Sequence, residues 1–451
     1  MALGKRKREQ QGMWVASADL PKSPGHPFYS RLNQLLAGAG FDAWLEKLCR
    51  PYYAPVMGRP SIPPGVYFRM ILVGYFEGIS SQRGIAWRCS DSRSLAEFLG
   101  FAATESTPDH SSLSRTHQRL PQEIHEAVFT FVLRIAVEKK LLSGQTVAVD
   151  STMLVANAAM KTIIRKDTGE DWKAYLRRLA QQAGIENPSD EDLRRFDKQR
   201  QDKKVPNEEW QSPSDPDSRI AQMKDGTTHL AYKAEHVVDL QSDLIVAAVI
   251  EPANHGDTDT LVDSVVQAEL NLQAAKSKIE ITAVVADKGY HAASTLEMCE
   301  FMGWRSYIPE RRRRHPWRWT DKPASYQKAV YANRRRLKGE RSKQLQRWRS
   351  EKVERTFAHI CETGGGRRCW LRGFTKVTKR YLLQAAACNL ARIMWKLFGV
   401  GTPRSLQGLL ALLRFIHFAL TKCYSYVKES LPIVFGHIGA SLVVARVPGF
   451  P

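Results

Sequence analysis

The chain has 451 residues, 43% hydrophobic and 25% charged, an ordinary globular balance with room for two or three domains. Lys and Arg outnumber Asp and Glu by 67 to 46, a net +21, so the surface attracts polyanions, nucleic acid before any other. The seven cysteines form no CxxC pair, which excludes a zinc ribbon or thioredoxin-like site and suits reduced thiols.

Residues 1–60 are rich in Pro and Gly and read as a lead-in, with short helices at Tyr29–Ala37 and Phe41–Cys49. The basic run Lys5 to Arg8 lacks the apolar segment of a signal peptide. Residues 61–142 read as a helical domain. Val66–Tyr75 is a largely buried helix, Arg83–Arg88 and Ser94–Leu99 are shorter ones, and Thr107 or Asp109 caps a polar helix that ends near His117. An amphipathic helix over Pro121–Lys140 closes this section. Its short polar helices suit a reader of DNA ends.

At Thr146 the pattern changes to a β-rich run, Thr146–Asp150, that ends on a carboxylate. A charged insertion, helical or flexible, follows over about 160–226. Strands return at His229–Asp239 and Leu244–Ile250, joined by a turn at Gln241–Asp243. A helix at Thr258–Leu272 and a strand at Ile279–Ala286, followed by Asp287, come next. A helix at Ala293–Phe301, a strand at Arg305–Ile308 and a helix at Gln344–Glu362 complete the series, and Val377–Phe398 reads as a core helix. Strand, insertion, two strands, helix, strand, helix, strand, helix is the order of a ribonuclease H-like α/β fold. Residues 401–451 form an apolar tail interrupted by Arg414, His417, Lys422, Lys428 and Glu429, with no stretch of membrane-span length. The expectation is a soluble, cytoplasmic protein, associated with the nucleoid through DNA and with no membrane partner.

Three acids stand where phosphate chemistry needs them. Asp150 and Asp287 end strands, and Glu354 lies beside the apolar stripe of its helix. Carboxylates at strand ends meet where α/β sheets bind ligands, and crowded acids imply a cation. Taken singly, an Asp after a strand serves as well to cap a turn, and Glu351 and Glu362 share the helix of Glu354. Between Arg311 and Arg349, fifteen Lys and Arg face only two acids, so this tract holds +13 of the +21. Trp317, Trp319, Tyr326, Tyr331 and Trp348 are interleaved, a composition suited to phosphates and unpaired bases.

The runs Val147-Ala148-Val149-Asp150-Ser151-Thr152, Ala286-Asp287-Lys288-Gly289-Tyr290-His291 and Val353-Glu354-Arg355-Thr356-Phe357 resemble bacterial insertion-sequence DDE transposases of the group related to insertion sequence five. Thr228–His236, Arg367–Gly373 and Tyr381–Gln384 extend the likeness, which covers about residues 60–404. The resemblance implies an all-α N-terminal domain followed by a ribonuclease H-like catalytic domain over 143–400. It makes Asp150, Asp287 and Glu354 the catalytic metal ligands for Mg²⁺ or Mn²⁺, as two ions. The implied partner is double-stranded DNA, both terminal inverted repeats and target, engaged by a homo-oligomer. Arg311, Arg312, Arg313, Arg314, Arg334, Arg335, Arg336 and Arg355 are the candidate DNA contacts, with Lys288 and His291 as lesser ones. In a related branch a Tyr and an Arg precede the Glu by seven and four residues; here Arg347 and Ser350 stand there, so no role transfers to them. A non-mobile nuclease of the same fold and a non-enzymatic DNA-binding descendant are the alternatives.

Overall fold

The computed structural model describes residues 16, 25–55, 58, 61–199, 207–223, 225–312, 318–406 and 419–421. Most of the expected tail lies outside these residues. The N-terminal section is helical: α1 (Pro27–Gly38), α2 (Phe41–Cys49), α3 (Pro64–Glu77), α4 (Gln82–Asp91), α5 (Arg93–Phe98), α6 (His110–Arg119) and α7 (Gln122–Glu138). α3 is buried on nearly every face, which its run of large apolar residues dictates, and it stops at Gly78 in a left-handed conformation (φ 70°). Of the two caps considered, Asp109 is the one used: its carboxylate accepts from the Ser112 N–H at 2.9 Å. Phe28, Tyr67, Phe68, Phe76 and Phe129 are among the largest side chains in this core, each contributing roughly 1.5–3 kcal/mol by burial.

The α/β section begins with β1 (Thr146–Val155). The insertion after it carries β2 (Ile164–Arg165), α8 (Trp172–Gln182), α9 (Asp190–Gln199), β3 (Trp210–Gln211) and β4 (Arg219–Gln222). It is folded around its own small core of Leu176, Ala180 and Leu193, with Trp172, Ile185 and Phe196 packed against them. The chain then forms β5 (Thr228–Asp239), β6 (Ile245–Pro252), α10 (Asp257–Ala274), β7 (Ala283–Val285), α11 (Ala293–Phe301) and β8 (Arg305–Tyr307). The helices α12 (Ala324–Leu337), α13 (Glu340–Ala358) and α14 (Phe374–Phe398) follow.

β6, β5 and β1 form an antiparallel meander, and β7 and β8 add in parallel beyond β1. β4 extends the outer edge of β5 past the end of β6. This is the ribonuclease H-like order. Helices connect the parallel strands, as parallel pairing requires. β5 is buried on both faces over Leu230–Asp239 because strands flank it and helices cover it. α13 lies against β1, β5, β7 and β8, while α10 packs on β5 and β6 and touches α7 of the helical section. Residues up to Asn389 make one compact unit; Leu390 onward belongs to a second. Among the described residues no helix is long and apolar enough to cross a membrane.

Candidate functional site

The two acids stand at equivalent distances along the chain from a paired position on neighbouring strands. β1 and β7 pair in parallel, with Ala148 opposite Val285 as the last partners. Two residues farther along each chain stand Asp150 and Asp287. The expectation that Asp150 ends its strand needs correcting: β1 runs on to Val155, because β5 keeps pairing with it after β7 has stopped. The open edge of β1 therefore begins at the acid. The strand expected over Ile279–Ala286 is likewise shorter, Ala283–Val285, so Asp287 lies two residues past its end. Asp287 caps the turn Lys288–Tyr290, its Oδ1 accepting from the Gly289 N–H at 2.7 Å.

α13 brings a cation to the same place. The Arg349 guanidinium donates to Asp150 Oδ2 at 2.6 Å, while Asp150 Oδ1 accepts from the Ser151 N–H at 2.8 Å. Gln346, one turn earlier, donates to the carbonyls of Ala286 and Tyr307 and so ties α13 to the ends of β7 and β8. Val353 and Thr356 are buried against the sheet. Thr356 Oγ1 donates to the Val353 carbonyl and stands 2.8 Å from His236 Nδ1, whose Nε2 meets the Tyr381 hydroxyl at 2.7 Å. The two hydroxyls leave the buried His236 ring with a polar partner at each nitrogen. Burial lowers its pKa to about 3. His236 sits opposite Asp150 in the β1–β5 register, so this network fixes α13 directly behind the acid.

Glu354 is exposed on α13, and among the described residues no ion pair or hydrogen bond engages it. Among those residues no group of three His, Cys, Asp or Glu side chains is arranged to hold a metal ion. Hard oxygen donors at the ends of adjacent strand pairings suit a hard divalent cation, and Asp150 on β1 and Asp287 just past β7 supply them. In this structure the cation facing Asp150 is a guanidinium.

Behind the Asp287 turn lies a buried ionic network that sequence reasoning missed. Lys233 and Glu235, both wholly buried, pair at 3.3 Å, and Lys233 Nζ also reaches Asp257 Oδ1 at 2.9 Å and Thr260 Oγ1 at 2.9 Å. Thr260 and Tyr290 donate to Glu235 Oε2 at 2.7 and 3.2 Å. Burial pushes the Glu235 carboxyl pKa up, against the pull of Lys233. Burial, with Glu235 and Asp257 nearby, also holds Tyr290 well above its usual range as a neutral donor. Asp257 was legible as a residue of a helix-cap region, and Lys233 as one of an alternating strand inside a run shared with the family; neither was given a role.

The basic residues divide into two groups. Arg311 donates to the carbonyls of Lys288 and Gly289 at 3.0 and 2.9 Å, which puts the start of the tract on the rim of the Asp287 turn. Arg312 and Arg335 are exposed, as is Lys288, whereas His291 is buried. Arg334 is held bidentate by Glu310, and Arg336 by the Ser306 carbonyl and hydroxyl. Arg355 pairs with Glu351 and lies near Asp243. Arg313 and Arg314 lie outside the described residues.

Residues 145–390, more than half of the chain, match the family described as transposase DDE domain, and residues 18–119 match a transposase domain (DUF772). The chain belongs to the DDE transposase family. It is a DNA transposase, an enzyme of phosphodiester hydrolysis and transesterification, in keeping with its likeness to insertion-sequence enzymes. No curated protein is significantly similar to it. Two solved structures of 10% identity are a Mos1 transposase paired-end complex with left transposon end and a Mos1 mariner paired-end complex with Mn. The matches cover 71% and 74% of this transposase and 86% of each of those chains, with TM-scores of 0.18 and 0.17. At those scores neither bears on the fold, which rests on strand order and family. The family uses divalent metal ions.

Proposed function

We propose that this transposase nicks DNA at the ends of an insertion sequence and joins the freed 3′-hydroxyl to target DNA, with Asp150, Asp287 and Glu354 as the metal-binding acids. The observation that carries this reading is that Asp150 and Asp287 each stand two residues beyond the last paired positions, Ala148 and Val285, of the adjacent parallel strands β1 and β7. The runs ADKGYH and VERTF, in family order, support the same residues and add Glu354. The divalent cation, Mg²⁺ or Mn²⁺ and as a pair, supplies charge neutralisation at the reacting phosphate. Asp150 would hold it from β1 and Asp287 from the turn that follows β7. Arg349 holds Asp150 until loading, and Gln346 fixes the helix that carries Glu354. The His236–Thr356–Tyr381 network keeps that helix seated.

The partner is double-stranded DNA, terminal repeat and target, engaged by a homo-oligomer. Arg311, on the rim of the Asp287 turn, and the exposed Arg312 and Arg335 form its path, with Arg313 and Arg314 between them in sequence; the N-terminal helical section binds the element ends. Arg334 and Arg336 serve the fold first, because each is half-buried on its protein acceptors, whereas Arg311 stays exposed beside its own. Arg355 sits at the border of these roles. The test is incubation of the purified chain with a labelled terminal-repeat fragment and a plasmid target in Mg²⁺. Nicking at the repeat boundary followed by joined product supports the proposal; cleavage without any joining favours the non-mobile nuclease, and binding alone the non-enzymatic descendant.

A further inference from the structure

Asp257, the first residue of α10, meets the same glycine as Asp287. A Cβ built on Gly289 would stand 2.7 Å from Asp257 Oδ2 and 2.8 Å from Asp287 Oδ1, so both carboxylates border the open face of that glycine. The other oxygen, Asp257 Oδ1, is held from behind by Lys233 Nζ at 2.9 Å and by the Ser151 hydroxyl at 3.1 Å. The Asp257 side chain is 34% exposed, while Lys233 and Glu235 are 0% exposed. Asp257 is thus the open end of a buried ionic network.

Charge counting gives the network a direction. One lysine serves two carboxylates, Glu235 and Asp257, and among the described residues no ion pair engages Asp287. Like charges held this close are unfavourable unless a cation is shared between them. The backbone N–H groups at the start of α10 stabilise one acid there. They do not offset the second. Ser151, which holds Asp257 Oδ1, directly follows Asp150, so the network borders both strand acids.

We propose that Asp257 is a fourth acid of the catalytic centre, a positioning residue that accepts from the water bound to the cation at Asp287 and is aimed there by Lys233. This rests on the metal-site reading above. Groups that act on a metal in this indirect way tune affinity by about 10–100-fold when removed.

The test is Mn²⁺ binding to the full chain, read as unbound Mn²⁺ by electron paramagnetic resonance, with thermal unfolding in EDTA as the check on folding. Asp257→Asn is expected to weaken Mn²⁺ binding by about tenfold, and Asp257→Glu to recover most of that loss. Gly289→Ala, which keeps both acids but puts a methyl group against each, is a second arm that does not depend on the folding of the Asn variant; it too is expected to weaken binding. Asp287→Asn runs alongside. If Asp287→Asn weakens binding and Asp257→Asn leaves it at the wild-type level, this proposal is overturned and the metal site stands. If neither substitution changes binding, the metal-site reading itself is wrong.

Discussion

Replacing Arg349 with Ala probes how the transposase manages Asp150 before a metal arrives. The guanidinium and carboxylate meet at 2.6 Å with side chains 13% and 20% exposed, so the pair is neither screened like a surface bridge nor fully desolvated. Losing it should destabilise the metal-free protein by about 1–2 kcal/mol, between the values for exposed and buried pairs. The thermodynamic cycle then fixes a second quantity. An incoming cation that takes Asp150 has to displace Arg349 in the wild type but not in the variant. The same about 1–2 kcal/mol should therefore reappear as Mn²⁺ affinity roughly 5–30-fold higher in Arg349→Ala. Unfolding in EDTA and in Mn²⁺, together with direct Mn²⁺ titration, measures both sides. The variant should lose stability in EDTA, and the gap should close in saturating Mn²⁺. A variant that loses stability but binds Mn²⁺ no more tightly would refute the displacement argument.

The exposed and anchored arginines should separate by assay. Arg312→Ala with Arg335→Ala should lower the salt dependence of DNA binding by about one unit of slope for each phosphate no longer neutralised, with unfolding unchanged. Arg336→Ala should instead cost stability, because the Ser306 carbonyl loses its donor; equal slopes for wild type and the exposed pair would exclude them from the DNA path. Stability should also fall with acid through buried histidines. Burial holds His236 and His125 at about 3 and His117 at about 4, below the ordinary 6.5. Between those values the unfolded chain binds more protons than the folded one. The histidine contribution is therefore intact above about pH 6.5 and lost progressively below it, on the order of 1–2 kcal/mol per ring by about pH 5. Chemical denaturation near pH 7.5 and pH 5 should show the decline, and a flat profile would mean these rings are not buried neutral.

Much of the fold was legible because its elements carry strong periodic signals. The helix at Ala293–Phe301 was placed to the residue, and β5, β6 and the turn between them were read from alternation and an apolar run. β1 was cut short at Asp150 because Ser151, Thr152 and Met153 are only half-buried on a strand whose β7 side has opened. α12 was missed for a related reason: it buries only Ala329, Val330 and Asn333, and its Lys and Arg read as an irregular basic stretch. Asp150 and Asp287 were singled out from motif and strand context. Arg349 was counted among the DNA-facing charges because nothing local ties it to an acid 199 residues earlier. Asp257 and Lys233 were passed over for the same physical reason, as their partnership is made by a strand and a helix start that meet only in the fold.

The central claim is that the carboxylate of Asp287 acts in phosphodiester chemistry rather than merely capping its turn. Asp287→Asn tests it most directly. The amide keeps an oxygen that can accept from the Gly289 N–H, so the turn and the fold should survive, but it is a poor ligand for a hard cation. A gel shift and a nicking assay on the same labelled terminal repeat, with wild type alongside, should show binding largely retained and cleavage lowered by orders of magnitude. Nicking at a rate near wild type would contradict the metal role and leave Asp287 as a turn cap.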